Sequence, residues 1–249
     1  MTAKADPWAQ LRLLDLQALD TRLDQIAHRV RSMPEHAEIA ATEEQLSELG
    51  DRAVAAATEA DDLAKAVRKA ESDVEQVRAR AARDQELLVA GTITSAKQLE
   101  ELQHEVGSLA RRQADLEDVE LEVMERLEAA QAALDEVQRE RGSLESGLAA
   151  AVDRRDETLS ELEAEDRSVR DERAEVVTGV PEELLALYQK LRADHDGVGA
   201  ARLYRGRCEG CHMELNPQDI GRIRAAASDA VVRCEECRRI LVRTADSGL

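Results

Sequence analysis

Cys208, Cys211, Cys234 and Cys237 are all the cysteines of a 249-residue chain, and they fall in two tight pairs in its last fifth. The stretches are RCEGCHMELNP and CEECRRIL, and 22 residues separate Cys211 from Cys234. Two Cys-x-x-Cys turns can place four thiolates at the corners of a tetrahedron, the geometry a structural zinc takes. A redox Cys-x-x-Cys sits where a strand meets a helix in a βαβ unit, and neither pair has that setting. The spacing therefore predicts one zinc per chain, with a shell of four sulfurs that is closed and structural rather than catalytic. His212 follows Cys211 and is read as a surface residue beside the turn, not as a ligand.

The elements that hold these turns are short. RLYRGRCEGC and AVVRCEECRRILVR read as strands with cysteine turns. Between them, Asn216-Pro217 signals a helix start, and Ile220, Ile223 and Ala227 suit one face of a short helix. No aromatic follows Tyr204, so burial alone gives little and the metal is expected to supply folding free energy. Nine Arg and no Lys lie between Arg202 and Arg243, against six acids, a net +3. Arg222, Arg224, Arg233, Arg238 and Arg239, with Asn216 and Pro217, are the candidate partner-binding or nucleic-acid-binding residues of this head. The competing reading is that these arginines pair with local Glu and Asp.

The rest of the chain has the opposite character. The whole carries −19, leaving about −21 on residues 1–201, where 25 basic groups face 46 acidic ones. There is no Phe, and Trp8 is the one Trp. From Ile39 to Leu88, spacings of three and four give a seam in which thirteen of fifteen positions are apolar. A second seam runs from Leu99 through Leu109, Leu127, Val137, Ala151 and Leu162 to Val176. Heptads sustained this long, with charge elsewhere, are a coiled coil. Gly91 can end one helix in the left-handed conformation, and Ser95 with Gln98 fits a capping box for the next. A short turn at Gly91, Thr92, Ile93 and Thr94 makes the two arms antiparallel neighbours.

Asp6-Pro7 starts an earlier helix, with Leu16, Leu19, Leu23, Ile26, Val30 and Met33 as its seam. Pro34 breaks that arm, and small residues near Gly142 and Gly147 are expected to let the facing backbone pass close. Gly179-Val180-Pro181 ends the second arm. PEELLALYQKLR then reads as a helix docking on the hairpin base, near Trp8 and Leu11. The fold class is mainly α: a long antiparallel coiled-coil hairpin over residues 1–178, with its tip near 90–95 and a break near 34. Residues 179–249 form a docking helix and a small C4 zinc ribbon of β-knuckles plus one short helix. The N-terminus lacks the basic start and apolar core of a signal peptide. No run approaches the roughly 18 apolar residues of a membrane span. A cytoplasmic protein with reduced thiols and no membrane association is expected.

LQALDTRL near the start, GTITSAKQLEELQHEV at the tip, CEGCHMELNP and CEECRRIL resemble those of a family of bacterial proteins. Its members join a long coiled-coil hairpin to a C-terminal four-cysteine zinc ribbon, and the family is often labelled a domain of unknown function. The resemblance covers the whole chain. It implies a non-enzymatic adaptor; some relatives are linked to flagellar gene expression through an alternative sigma factor or messenger RNA, and others are proposed to bind nucleic acid. Nothing in this sequence carries the flagellar role over specifically. Two functional expectations follow: a scaffold for a protein partner, with transcription machinery as one such partner, or nucleic-acid binding through the Arg-bearing ribbon. The acidic body would repel a phosphate backbone. A third reading, an RNA-polymerase secondary-channel factor, needs acidic residues at the hairpin tip, and GTITSAKQ has none. No catalytic constellation and no small-molecule substrate site is legible, so an enzyme is not expected.

Overall fold

A computed structural model describes residues 3–249. Five α-helices come in the order α1 (Pro7–Arg31), α2 (Pro34–Val89), α3 (Ala96–Thr178), α4 (Glu182–Asp194) and α5 (Pro217–Ala225). Four short strands lie among the last of them: β1 (Ala200–Tyr204), β2 (Arg207–Cys208), β3 (Val232–Arg233) and β4 (Ile240–Val242). The fold is mainly α, an antiparallel coiled-coil hairpin with a small strand-bearing ribbon at the C-terminal end. By packing, the chain divides into two units: residues 1–36 with 153–249, and residues 37–152. That division cuts across α2 and α3, whereas a grouping at residue 178 follows the change in periodicity.

In the unit of residues 37–152, α2 and α3 pair through the seam. Ala60, Leu63 and Ala130 are buried together, flanked by Val123 and Leu127. Ile39, Leu49, Val67, Ala70, Val74, Leu109 and Val137 are also buried, and each is a seam position. The flanks carry ion pairs between the arms, such as Arg52–Glu140 at 3.7 Å, Arg78–Glu117 at 3.1 Å and Arg80–Glu105 at 2.8 Å. As the partner's number falls while the first rises, the arms run antiparallel. α2 gives way at Gly91, which takes φ +64, and the Ser95 carbonyl accepts the first helical bond of α3 from Leu99 N–H. The turn thus occupies the expected Gly91–Thr94. Near it Leu88 of the first seam stays half-buried and Leu99 of the second is exposed, while the off-seam Leu87 and Val89 face solvent.

Two expectations need correction. A Cβ added at Gly142 or Gly147 would meet nothing within 4 Å, so these glycines face open space and permit no close backbone approach. Trp8 and Leu11 do not receive α4, because both are exposed. Leu184, Tyr188 and Leu191 of α4 pack instead with Ala9, Leu13 and Leu16 of α1. Those three lie on the inner stripe of α1, whereas Trp8 and Leu11 lie on the outer one.

In the other unit, α1 begins as its caps dictate: Asp6 accepts from Trp8 N–H at 2.8 Å and Pro7 is the first helical residue. Pro34 has no N–H to continue a helix, so it opens α2 after a two-residue break. Leu19 and Ile26 of α1 pack with Leu162 and Val169 of α3. The sheet has the order β2-β1-β4-β3, with β1 and β4 parallel and the other pairs antiparallel. Its edge is extended by the chain start, since Val231 N–H donates to Ala3 C=O and Ala5 N–H to Asp229 C=O. Ala200, Ile240 and Val242 of the sheet share one core with α1 and α4. The ribbon is therefore built onto these helices rather than tethered to them.

A buried polar cluster fixes α1 in place. Asp20 is almost fully buried, accepts from Tyr188 Oη at 2.7 Å and pairs with Arg173 at 2.6 Å. Gln17 donates to Gly197 C=O at 2.9 Å and accepts from Gly199 N–H at 2.8 Å. A Cβ at Gly199 would lie 2.5 Å from the Tyr188 carbonyl oxygen, so only glycine lets the chain cross α4 there. Burial first, and the Asp20 carboxylate second, push the Tyr188 hydroxyl well above the ordinary tyrosine range, which keeps it a donor.

Candidate metal centre and ribbon face

The two cysteine turns have the same backbone. In the first, Cys208 N–H donates to Met213 C=O and His212 N–H to Cys208 C=O; in the second, Cys234 N–H donates to Arg239 C=O and Arg238 N–H to Cys234 C=O. His212 and Arg238, each next after the second cysteine, both take φ +62. A left-handed residue there curls the chain back so that both sulfurs of a pair point one way. Arg207 Nε ties the first turn to His212 C=O at 2.9 Å, and Arg233 Nε ties the second to Arg238 C=O at 2.7 Å. In the first turn, a Cβ at Gly210 would lie 2.9 Å from both Ala201 Cβ and Arg239 Cδ, so the turn needs glycine to seat on β1.

The turns face each other. Cys208 Sγ lies 3.9 Å from Cys237 Sγ, and Cys211 Sγ lies 3.9 Å from Cys234 Sγ. All four sulfurs fall within 4.8 Å of one another, and all four cysteines are free. Sulfurs bonded to one zinc at about 2.3 Å stand about 3.8 Å apart at tetrahedral corners, so the cluster is slightly wider than a zinc shell and needs little contraction. It is the one such cluster of metal-ligating side chains among the described residues. Cys208 and Cys234 are fully buried.

The electrostatics point the same way. Burial pushes the Cys208 thiol well above its ordinary range and raises Cys234 too, while the amides of each turn work against this. Burial also resists ionisation of Cys237, but hydrogen bonds from Arg239 and from the Cys211 and Cys234 thiols outweigh it and bring that group down. Several thiolates gathered in one buried space are unfavourable without a cation, and a divalent metal reverses that balance. The donor set fits zinc: four soft sulfurs, tetrahedral spacing, and amides aimed at the sulfurs. When bound there, zinc supplies cross-linking of the two turns. His212 is exposed, with its ring outside the sulfur cluster.

The arginines singled out from sequence are mostly occupied. Arg222 pairs with Asp219 and with Glu235 at 3.3 Å, and Glu235 also takes Arg238 at 3.3 Å. Arg239 turns inward to the carbonyls of Val198 and His195, at 2.9 and 3.0 Å. Arg233 is exposed and Arg224 is exposed. Asn216 caps α5, accepting from Asp219 N–H at 2.9 Å, with Pro217 as the first helical residue. The structure thus gathers Arg222 and Arg238 around Glu235, and gives Asn216, Pro217 and Arg239 roles in holding the ribbon together. Sequence reading missed Arg243, whose guanidinium donates to the carbonyls of Ala226, Ala227, Ser228 and Ala230. It locks the loop from α5 to β3, and only its place just beyond β4 could have hinted at that. Tip residues Thr92, Ile93 and Thr94 lie in the α2–α3 turn with no metal-ligating or titratable group among them. Among the described residues, no helix is long and apolar enough to cross a membrane.

Comparison with known proteins agrees with this architecture. Residues 16–196 match the profile of the CT398-like coiled coil hairpin domain, and residues 207–241 match that of the C4-type zinc ribbon domain. Uncharacterized proteins from two strains of Mycobacterium tuberculosis are each 41% identical over 240 residues, covering 96% of this chain and 97% of theirs. A solved structure from Mycobacterium smegmatis is 38% identical, covers 97% of this chain and 100% of its own, and superposes with a TM-score of 0.81. CT398 from Chlamydia trachomatis is 19% identical, with coverage of 95% and 98% and a TM-score of 0.66, a likeness of fold. With a hairpin match across most of its length and the sulfur cluster inside the ribbon match, the chain belongs to the CT398-like coiled coil hairpin family and carries a C4-type zinc ribbon domain.

Proposed function

We propose that this protein is a non-enzymatic adaptor whose ribbon is braced by one structural zinc and whose hairpin and ribbon engage a protein partner. Cys208, Cys211, Cys234 and Cys237 hold the metal. Four sulfurs leave no open coordination position for a substrate or an activated water, which supports a structural role. The observation that carries the choice of a protein partner is the internal pairing of the ribbon arginines. Arg222 and Arg238 are neutralised by Asp219 and Glu235, and Arg239 is spent on backbone carbonyls. Phosphate binding draws on free cations, and this face offers few of them on a chain of −19. The gene-expression machinery is the first place to look, as the family resemblance suggests. The working site is expected in the cytosol, where thiols stay reduced and keep zinc.

A pull-down of zinc-loaded protein from its own cells, with and without nuclease, tests this. A specific protein that survives nuclease supports the adaptor. Tight RNA or DNA binding by the full chain, steeply weakened by salt and lost in the Arg222→Ala, Arg224→Ala double variant, would replace it with the nucleic-acid reading.

A further inference from the structure

The chain has one Trp and no Phe, yet it does not spend that Trp on its core. Trp8 is 57% exposed, and Leu11, one turn on, is 42% exposed. Arg12 completes the same face of α1, since residues three and four apart are neighbours on a helix. Its guanidinium lies over the Trp8 ring, 4.8 Å from the centroid. Both side chains rest on Gly179: a Cβ there would stand 3.0 Å from the indole and 3.2 Å from Arg12 Nε. Glycine at the α3–α4 junction therefore lets the pair lie flat against the backbone. Arg12 Nε is buried without a hydrogen-bond partner. Among the described residues no carboxylate pairs with Arg12, whereas Arg173 and Arg192 of the same unit take Asp20 and Asp24.

An exposed Trp stacked with a half-buried Arg that no carboxylate pairs is costly for an isolated protein and useful at an interface. Trp and Arg are the residue types that most often dominate binding energy, and prior ordering lowers the entropy lost on docking. The guanidinium fork asks for a carboxylate; the indole and Leu11 ask for apolar area. The geometry points to the Trp8–Leu11–Arg12 face of α1 as a docking surface for a partner-protein segment with an apolar side chain next to an Asp or Glu. This inference rests on the adaptor reading and names its contact surface.

A benzophenone amino acid placed at position 11 tests it, in the full zinc-loaded chain inside the cells it comes from, with Val54, an exposed apolar position of the other unit, as the control site. The expected result is a photo-crosslink from position 11 to one protein, mapped by mass spectrometry to an apolar residue within a helical turn of an Asp or Glu. It should vanish in Arg12→Glu and persist in part in Arg12→Lys, with helicity and zinc content unchanged in both. With that protein purified, emission of the single Trp8 should shift on binding, and Arg12→Glu should weaken affinity by about tenfold or more. No crosslink above the Val54 control, an unchanged crosslink in Arg12→Glu, or a crosslink to nucleic acid or to a second copy of this chain each overturns the proposal. The same label at Met213, exposed on the ribbon, separates two failures. Protein captured there but not at position 11 leaves the adaptor reading standing and removes only this surface; nucleic acid captured there removes the adaptor reading as well.

Discussion

Residues 37–152 and the unit formed by residues 1–36 with 153–249 hold together by different means. The first is a thin seam of Ala, Val and Leu, flanked by exposed ion pairs. Its buried contacts repeat one small apolar pattern along the arms. The second stacks a shared apolar core, a buried Asp20–Tyr188–Arg173 cluster and two sulfur turns on one another. A repeated seam spreads stability evenly and loses it in small steps; a layered base concentrates it in a few groups. The difference teaches where a single substitution matters.

Metal removal should give the largest effect. Stripping zinc with a chelator, or Cys208→Ser, is expected to cost the ribbon on the order of 10 kcal/mol. Hydrogen exchange by mass spectrometry should show residues 200–243 deprotected while residues 37–152 keep their protection. Unchanged exchange in the ribbon would mean that its sheet stands without metal.

Next comes the buried carboxylate. Asp20→Ala strands Arg173 and the Tyr188 hydroxyl, and should cost about 3–5 kcal/mol; Tyr188→Phe should cost about 1–2 kcal/mol. The tyrosine also sets an alkaline limit. Its folded value is raised, so the unfolded chain ionises first and binds fewer protons once pH passes the ordinary value of about 10. Stability from this group is whole below that pH and falls above it. Denaturant titrations of Tyr188→Phe should lack that alkaline fall, and an equal fall in both proteins would break the assignment.

Within the arm, Leu63→Ala should cost about 2–3 kcal/mol, the low end for leucine, because a two-helix seam can close around the gap. The smallest effect is expected at the flanks. Arg78→Ala should change stability by under about 1 kcal/mol, and the change should disappear in about 1 M salt. If Arg78 proved as costly as Leu63, the arm would depend on its charges, and the contrast with the base would have to be redrawn.

Much of this was legible in the amino-acid order because it depends on near neighbours. The seams from Ile39 and Leu99, the Asp6-Pro7 and Asn216-Pro217 caps, the break at Pro34, the turn at Gly91 and the pairing of cysteines are set by periodicity, missing N–H groups and short spacing. Each acts over a few residues, so each can be read from a few. LQALDTRL stood out as a signature, but nothing local showed why. Gln17 meets Gly197 and Gly199 about 180 positions away, and Asp20 meets Arg173 and Tyr188 more than 150 positions away. The fate of the arginines was likewise undecided: Arg238 meets Glu235 and Arg222 meets Asp219 across three positions, but only the closed ribbon also brings Arg222 to Glu235. Which stripe of α1 faces α4 also depended on packing, and it left Trp8 and Leu11 in solvent. Partner choice among distant groups is a matter of shape after folding, and burial then decides which charges stay free.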